Sequence, residues 1–536
     1  MNASRVAFGN LTNSQQVAII SLSILALALT FWYMYTPRYP DVPTLRVSKK
    51  PWIIGTIEDK IMFITNSKEL LQIGWERYSS KGINYLINLP LRKHLIMAPQ
   101  FSEEIRTAPA EFVDNTIANS EITQVAWTIH SRLAWDQFHF KTPIRKTLTE
   151  SLGPKLPDIV EEAKMCLHEY VGRSKDWTPR KMYTLGFDIV TRTANRLLFG
   201  ADLARDPEFQ RLSIHYTDIL FGGAEKVRNL PSFLKPIVMW MATDLYPAQK
   251  LAKKILGPII SKRIQDEDRF KADGRQEEWE KVKPFDAIQW VLDVAPPDQR
   301  RTDMMVYRML HINVAAIHTS SSTFLEAFYF LSISPQYHDE LREEITKVFR
   351  QEGSWTKQAL THLVKLDSFI TEALRLCPNA PVKLQRYTIR DWRLSDDSVI
   401  PKGNYLWTNY LSLSLDDRTW KDARQFDPWR MYRRRQQEGQ ANQHQFVMTS
   451  STNLTFGHGK NACPGRFFAA NEIKTLMALI IMTYEIRCTN IKDGVNEIID
   501  GGYLNLAKTP IQHPIVEFKY RGDSIPGDIR PLFTQI

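Results

Sequence analysis

The residues best equipped for chemistry lie between Phe456 and Gly465, in the run FGHGKNACPG. Cys463 is followed by Pro464, which suits the first position of a helix. The apolar-periodic stretch RFFAANEIKTLMALIIM then continues that helix. A sulfur at a helix N-terminus meets unpaired N–H groups and the positive end of the dipole, so its thiolate is favoured. Such a sulfur is a ligand for a metal centre, where a lone buried cysteine elsewhere is an inert filler. Gly457, Gly459 and Gly465 give the loop tight turns and let its backbone come close to a cofactor. Phe456 is placed to shield the sulfur from water.

Other constellations stand upstream. Glu372 and Arg375, in LDSFITEALRL, share a helix face at i, i+3, a spacing that by itself usually marks a surface ion pair. Arg430, in FDPWR, falls between that pair and Cys463. Arg386 in PVKLQRYTI and Arg145 in KTPIRKTLTESL are cations for an anionic group or for solvent. The run Ala315-Ala316-Ile317-His318-Thr319-Ser320 puts small residues and a threonine in mid-helix, where the hydroxyl can bond back to the carbonyl at i−4.

FGHGKNACPG matches F-x-x-G-x-x-x-C-x-G, the haem-binding signature of the cytochrome P-450 family, and the other motifs follow in that family's order. From about residue 60 to 520 the chain resembles a cytochrome P-450, closest in pattern to fungal members of secondary metabolism, which often pair AAIHT with FGHGK-x-ACPGRFFA. The resemblance implies haem b bound through Cys463, a buried Glu372–Arg375–Arg430 triad beneath it, and Arg386 and Arg145 on its propionates. Two departures stand out. Asn461 occupies the place of the usual propionate-binding Arg or His, and Lys141 that of the usual Trp before Arg145. His318 replaces the usual acid before Thr319, so proton delivery runs either through His318 or through water ordered by Thr319 alone.

The implied reaction is reductive activation of dioxygen and insertion of one oxygen atom into an unactivated C–H bond of a small apolar substrate, in the first place a terpenoid. The chain has no Rossmann or flavin fingerprint, so NADPH and flavin electrons come through a separate NADPH–cytochrome reductase. Lys460, Arg466 and Lys474 offer a basic docking face, or plain solvated surface. Two alternatives stand beside this: a haem-thiolate desaturase, epoxidase or rearrangement enzyme on a prenylated alkaloid or polyketide, and a non-catalytic membrane-tethered haem sensor. By family analogy, residues 110–130, 215–240 and 501–505 line the pocket.

These groups need a large, mostly helical frame. The longest uninterrupted helix pattern runs from Thr302 to Ile333 between Pro297 and Pro335, apolar on most faces and so buried mid-domain. Helices are also expected over 181–200, 248–268 and 285–294, and between 100 and 170 with breaks at Pro and Gly. Short strands are expected around 83–97, 384–410 and 512–519, and Asp266 to Lys283 reads as a solvated loop or helix end. The fold class is therefore mostly α with a minor β portion; the resemblance implies the cytochrome P-450 haem-domain fold, preceded here by one transmembrane helix.

No charge occurs from Val6 to Pro37, and Val17 to Tyr35 is an apolar run long enough to span a bilayer. Phe31, Trp32, Tyr33 and Tyr35 suit an interface, and bulky aromatics before Pro37 speak against a cleaved signal. Arg38, Arg46, Lys49 and Lys50 follow the span and only Arg5 precedes it, so the catalytic bulk faces the cytosol at the endoplasmic reticulum. The organisation is a short lumenal N-terminus (1–16) with sequons at Asn2 and Asn10, an anchor (17–35), a Pro-rich neck (36–52) and one catalytic domain (53–536). The net charge of +10 fits membrane lipid or an acidic protein, and nucleic acid fits least because no nucleic-acid-binding signature is present. Four scattered cysteines form no disulfide framework.

Overall fold

A computed structural model describes Ser23 and residues 38–504, 507–508 and 511–535. Among the described residues no helix is long and apolar enough to cross a membrane. The span expected over residues 17–35 and the sequons at Asn2 and Asn10 lie outside them, Ser23 apart.

Seven helices carry the frame: α1 (Leu148–Cys166), α2 (Met182–Phe199), α3 (Pro207–Arg228), α4 (Leu245–Ala272), α5 (Thr302–Ser332), α6 (Val364–Leu376) and α7 (Arg466–Thr483). α5 is the axis of the molecule and packs against α2, α3, α4, α6 and α7. Its C-terminal half sits in one apolar core with α1, α6 and α7, and its N-terminal half in another with α3 and α4. Sequence sets some of the ends directly: α3 opens on Pro207 with the Asp206 carboxylate accepting from Phe209 N–H at 2.7 Å.

α1 departs from expectation. It runs unbroken through Gly153, Pro154 and Pro157, which were expected to interrupt it. An interior proline costs roughly 3 kcal/mol. Burial of Leu148, Leu152, Leu156, Ile159, Val160 and Ala163, at roughly 1.5–3 kcal/mol for each larger side chain, outweighs that cost. The charged stretch after residue 266 ends α4 at Ala272, turns at Gly274 and continues as the short helix Gln276–Val282.

The β portion comprises β1 (Tyr85–Asn88), β2 (Lys93–Met97), β3 (Val113–Asp114), β4 (Thr178–Lys181), β5 (Val382–Thr388), β6 (Tyr405–Asn409), β7 (Tyr484–Cys488) and β8 (Ile515–Tyr520), with two further two-residue pairs. One sheet has the order β1-β2-β6-β5-β3, the other β4-β8-β7. β5 carries a bulge: Lys383 pairs with Thr408 and Arg386 with Leu406, so Leu384 and Gln385 together face Trp407. Leu384 there adopts a left-handed conformation at φ 52°, uncommon for a leucine.

Candidate active site

The Cys463 loop is held from both sides. Cys463 N–H donates to Phe456 O at 2.8 Å, and Phe456 packs against Phe446 with ring centroids 5.0 Å apart. Gly457 (φ 71°) and Gly459 (φ 73°) are left-handed, and a Cβ on Gly459 would lie 2.2 Å from Arg106 Cγ, so glycine is required there on two counts. Gly465 differs: its φ is −91° and a Cβ there would meet no protein atom within 4 Å. His458 ties the loop to Glu103 at 3.0 Å, and Lys460 Nζ donates to Ala108 O at 2.8 Å.

α7 begins at Arg466 with Gly465 as its N-cap, so Pro464 lies in the preceding turn and not at the first helical position. The net shift at the sulfur runs toward the thiol, against expectation. Burial pushes the Cys463 thiol up, while the N–H groups of Gly465 and Arg466 and the cations of Arg466 and Lys383 favour its thiolate.

Arg145 and Arg466 lie near this loop, and β5 brings Lys383 to it with Arg386 three residues along. Arg386 on β5 is buried; Nη1 donates to Asn115 Oδ1 at 3.1 Å and to Gln385 O at 2.8 Å, while Nη2 is sealed from solvent with no partner among the described residues. Burial brings its pKa down to about 10, leaving it cationic. Arg145 lies exposed in a π-helical turn, Thr142–Thr147, with no side-chain partner among the described residues. Arg466, close enough to be repelled by Arg145, donates to Cys463 O at 3.0 Å. Asn461 is half-buried, and its side chain makes no hydrogen bond among the described residues. Lys383, which sequence reading passed over, places Nζ 3.1 Å from Thr455 O, and burial lowers its pKa to about 8 against the pull of Cys463. Its only sequence signal was a lone lysine in the apolar strand PVKLQRYTI.

Glu372, Arg375 and Arg430 are brought together. Arg375 forks onto Glu372 through Nε and Nη2, both at 2.8 Å, and Arg430 Nε donates to Glu372 Oε1 at 3.0 Å. Arg375 also donates to Ser414 O and to Ala423 O at 2.7 Å, so this buried cluster is satisfied on every side.

On α5, Ala315 and Thr319 are exposed in the middle of an otherwise buried helix, one turn apart on one face. Thr319 Oγ1 donates to Ala315 O at 2.8 Å. His318 packs against Phe221 on α3 (ring centroids 4.5 Å) and Phe187 on α2 (6.3 Å), and its Nδ1 is sealed with no partner among the described residues. Burial lowers its pKa to about 4, so it is neutral near pH 7 and does not hold both protonation states there, as the relay reading required.

The basic docking face is corrected. Lys474 is buried, donates to Leu360 O at 3.1 Å and is paired with Asp367, while Arg466 turns onto Cys463 O. Of the three cations only Lys460 is exposed, and its ammonium caps a backbone carbonyl. Of the expected pocket segments, 110–130 forms β3 and the helices after it, 215–240 spans the end of α3 and the start of the helix Lys235–Ala242, and Asn505 lies outside the described residues. Phe221 brings α3 against α5.

The residues present fit haem. A sulfur with two backbone N–H groups and two cations turned toward it can be held as a thiolate ligand, and the open side of Gly465 leaves room for a flat ring. Arg386 Nη2 and Arg145 lack the anions that a pair of propionates would supply.

Comparison with known proteins agrees. The family model described as Cytochrome P450 matches residues 85–513. The chain is similar to Cytochrome P450 monooxygenase 151 of Postia placenta, at 33% identity over 86% of this chain and 90% of that one. It is also similar to Cytochrome P450 monooxygenase olcJ of Penicillium canescens, at 32% identity over 89% of each. Among solved structures, the retinoic acid bound cyanobacterial CYP120A1 matches with a TM-score of 0.64 at 16% identity, covering 90% of this chain and 100% of that one, which supports the fold. Its sequence, fold and relatives make this chain a member of the cytochrome P450 family of haem-thiolate monooxygenases.

Proposed function

We propose that this chain oxidises an apolar, terpenoid-type secondary metabolite with dioxygen, using NADPH electrons from a separate reductase, at the cytosolic face of the endoplasmic reticulum. Haem held through Cys463 supplies the redox chemistry, since its iron binds and activates dioxygen. The chain's own residues do the rest. The Gly465 and Arg466 N–H groups and the Lys383 and Arg466 cations favour negative charge on the sulfur. Arg386 Nη2 and Arg145 hold the carboxylates of the haem edge. Ala315 leaves space on the open face of α5. Thr319, its own proton committed to Ala315 O, keeps a lone pair to hold a proton-bearing water there. His318 serves packing.

The observation that carries this reading is the coincidence of a sulfur flanked by two backbone N–H groups and two cations with a buried guanidinium nitrogen on β5 that has no partner among the described residues. Cys463→Ser should abolish the red-shifted carbonyl band of the reduced protein. It should also abolish the ¹⁸O incorporation that wild type shows with reductase, NADPH, ¹⁸O₂ and a terpenoid. A normal thiolate band in that variant sinks the ligand assignment.

Membrane attachment rests on the uncharged run at 17–35, and exposed apolar surface supports it. The helix Trp52–Thr65, just after the neck, shows Ile53, Ile54, Ile57 and Ile61 to solvent, and around Lys235–Ala242 Phe233, Trp240 and Met241 are exposed. Deleting residues 1–36 should move the protein from a carbonate-resistant to a carbonate-extractable membrane fraction with its haem spectrum unchanged. A variant still resistant to carbonate would remove the anchor from the proposal.

A further inference from the structure

One turn before Ala315, on the same stripe of α5, lies His311. Its ring is wedged against Phe140 and His139, at centroid distances of 4.8 and 5.0 Å, and its Nδ1 lies 3.1 Å from His139 Nε2. His139 is fully buried, and its Nδ1 lies 2.8 Å from Arg308 Nη1. Arg308, equally buried, sits over the Phe138 ring at 4.0 Å. It donates to Asp136 O at 3.1 Å and to Gln299 Oε1, with the Asp136 carboxylate 3.4 Å away.

Only one arrangement of protons satisfies this row. A guanidinium donates and never accepts, so His139 Nδ1 must be the acceptor and its proton must sit on Nε2. That N–H donates to His311 Nδ1, which leaves the His311 proton on Nε2. Both rings are neutral: burial, then Arg308, bring His311 to about 3, and burial, His311 and Arg308 hold His139 well below its ordinary value. Burial brings Arg308 to about 10, so it stays charged and the direction of the row is fixed.

His311 Nε2 has no protein partner among the described residues, and it is not among the sealed atoms. The residue keeps 8% of its surface open, while Met309 and Leu310 beside it are closed. The opening lies on the face that exposes Ala315 and Thr319.

The geometry points to His311 Nε2–H as a fixed hydrogen-bond donor that orients the substrate through an acceptor oxygen, a carbonyl, ether or hydroxyl on an otherwise apolar scaffold. The inference rests on the proposed function, in which that face of α5 is the substrate side of the haem pocket. Four to eight residues of helix, about 6–12 Å of rise, separate this donor from Ala315 and Thr319. The scaffold is therefore held by an oxygen remote from the carbon to be oxidised, and an earlier oxidation or acyl-transfer step must have installed it.

Paired probes test this: the hydrocarbon valencene and the corresponding ketone nootkatone, titrated into full-length holoenzyme and followed by the haem Soret shift. Wild type should favour the ketone about tenfold, the ratio that one well-made hydrogen bond supplies. His311→Phe should erase that preference while valencene affinity stays within about twofold. His311→Asn, whose amide oxygen can still accept from His139 but whose side chain is shorter, guards against misfolding and should erase it too. A wild type without ketone preference, or either variant retaining it, overturns the inference. The reduced carbonyl spectrum separates the two readings. A wild type lacking the thiolate band fails the Cys463 assignment, whereas a normal band without ketone preference fails His311 alone.

Discussion

Two buried arginines, Arg375 and Arg308, are used in opposite ways. Arg375 is closed on itself: Glu372 takes two of its N–H groups, two backbone carbonyls take others, and Arg430 completes the carboxylate. Arg308 has its nearest carboxylate at 3.4 Å and partly exposed, and gives one N–H to a histidine. The first arrangement neutralises charge locally and fixes a fold. The second passes a direction along a row of rings and ends at an open donor. A buried cation is therefore structural or functional according to where its last proton points, and burial alone does not decide it.

The sharpest way to break this contrast is to remove each centre. Glu372→Ala strands Arg375 and Arg430 and should cost about 3–5 kcal/mol. Its purified protein should carry little haem per polypeptide. Arg308→Met leaves two neutral acceptors, His139 Nδ1 and Gln299 Oε1, and the part-exposed Asp136 behind but no buried charge, so it should melt closer to wild type than Glu372→Ala and keep its haem while losing the preference for the ketone probe. Equal haem loss in the two variants would erase the distinction.

A smaller effect concerns acid. His318 is depressed from an ordinary value of 6.5 to about 4, with burial between phenylalanines as the cause. Between those values the unfolded chain binds the proton and the folded chain does not, so the histidine's favourable balance is complete above pH 6.5 and is lost as pH falls. At pH 5 the penalty is on the order of 2 kcal/mol. His318→Phe should flatten the melting-temperature profile between pH 7 and 5, and an unchanged slope would mean the ring is protonated or exposed. The smallest expected change is in coupling: Thr319→Ala should release a few-fold more hydrogen peroxide per NADPH, and His318→Phe no more than wild type. Excess peroxide from His318→Phe would restore that histidine to proton delivery.

What could be read from sequence was local. Glu372 and Arg375 are three residues apart on one helix, and Cys463 with its glycines fits in ten residues. His139 and His311 are 172 residues apart, so no spacing announces them. Lys474 was misplaced because α7 is apolar on nearly every face, leaving no pattern to show which way its few polar residues turn. β4 escaped because Pro179 sits in it, tolerated because β4 is an edge strand that among the described residues pairs with β8 alone. α1 was read as broken because proline signals outweighed the apolar stripe that holds it together.

The bulge in β5 bears on how such a protein can change over generations. Two residues of one strand face a single residue of its neighbour at Trp407, so the stretch from Lys383 to Arg386 contains one more residue than regular pairing needs. Deleting that residue would give a more regular sheet and release the strain at Leu384, a local gain of about 1–3 kcal/mol. It would also remove the kink and added twist that aim Lys383 at the cysteine loop, even though both flanking pairs stay in place. Insertions and deletions should therefore be tolerated in the turn over residues 394–398 and purged between 383 and 386, where the smoother fold is the inactive one.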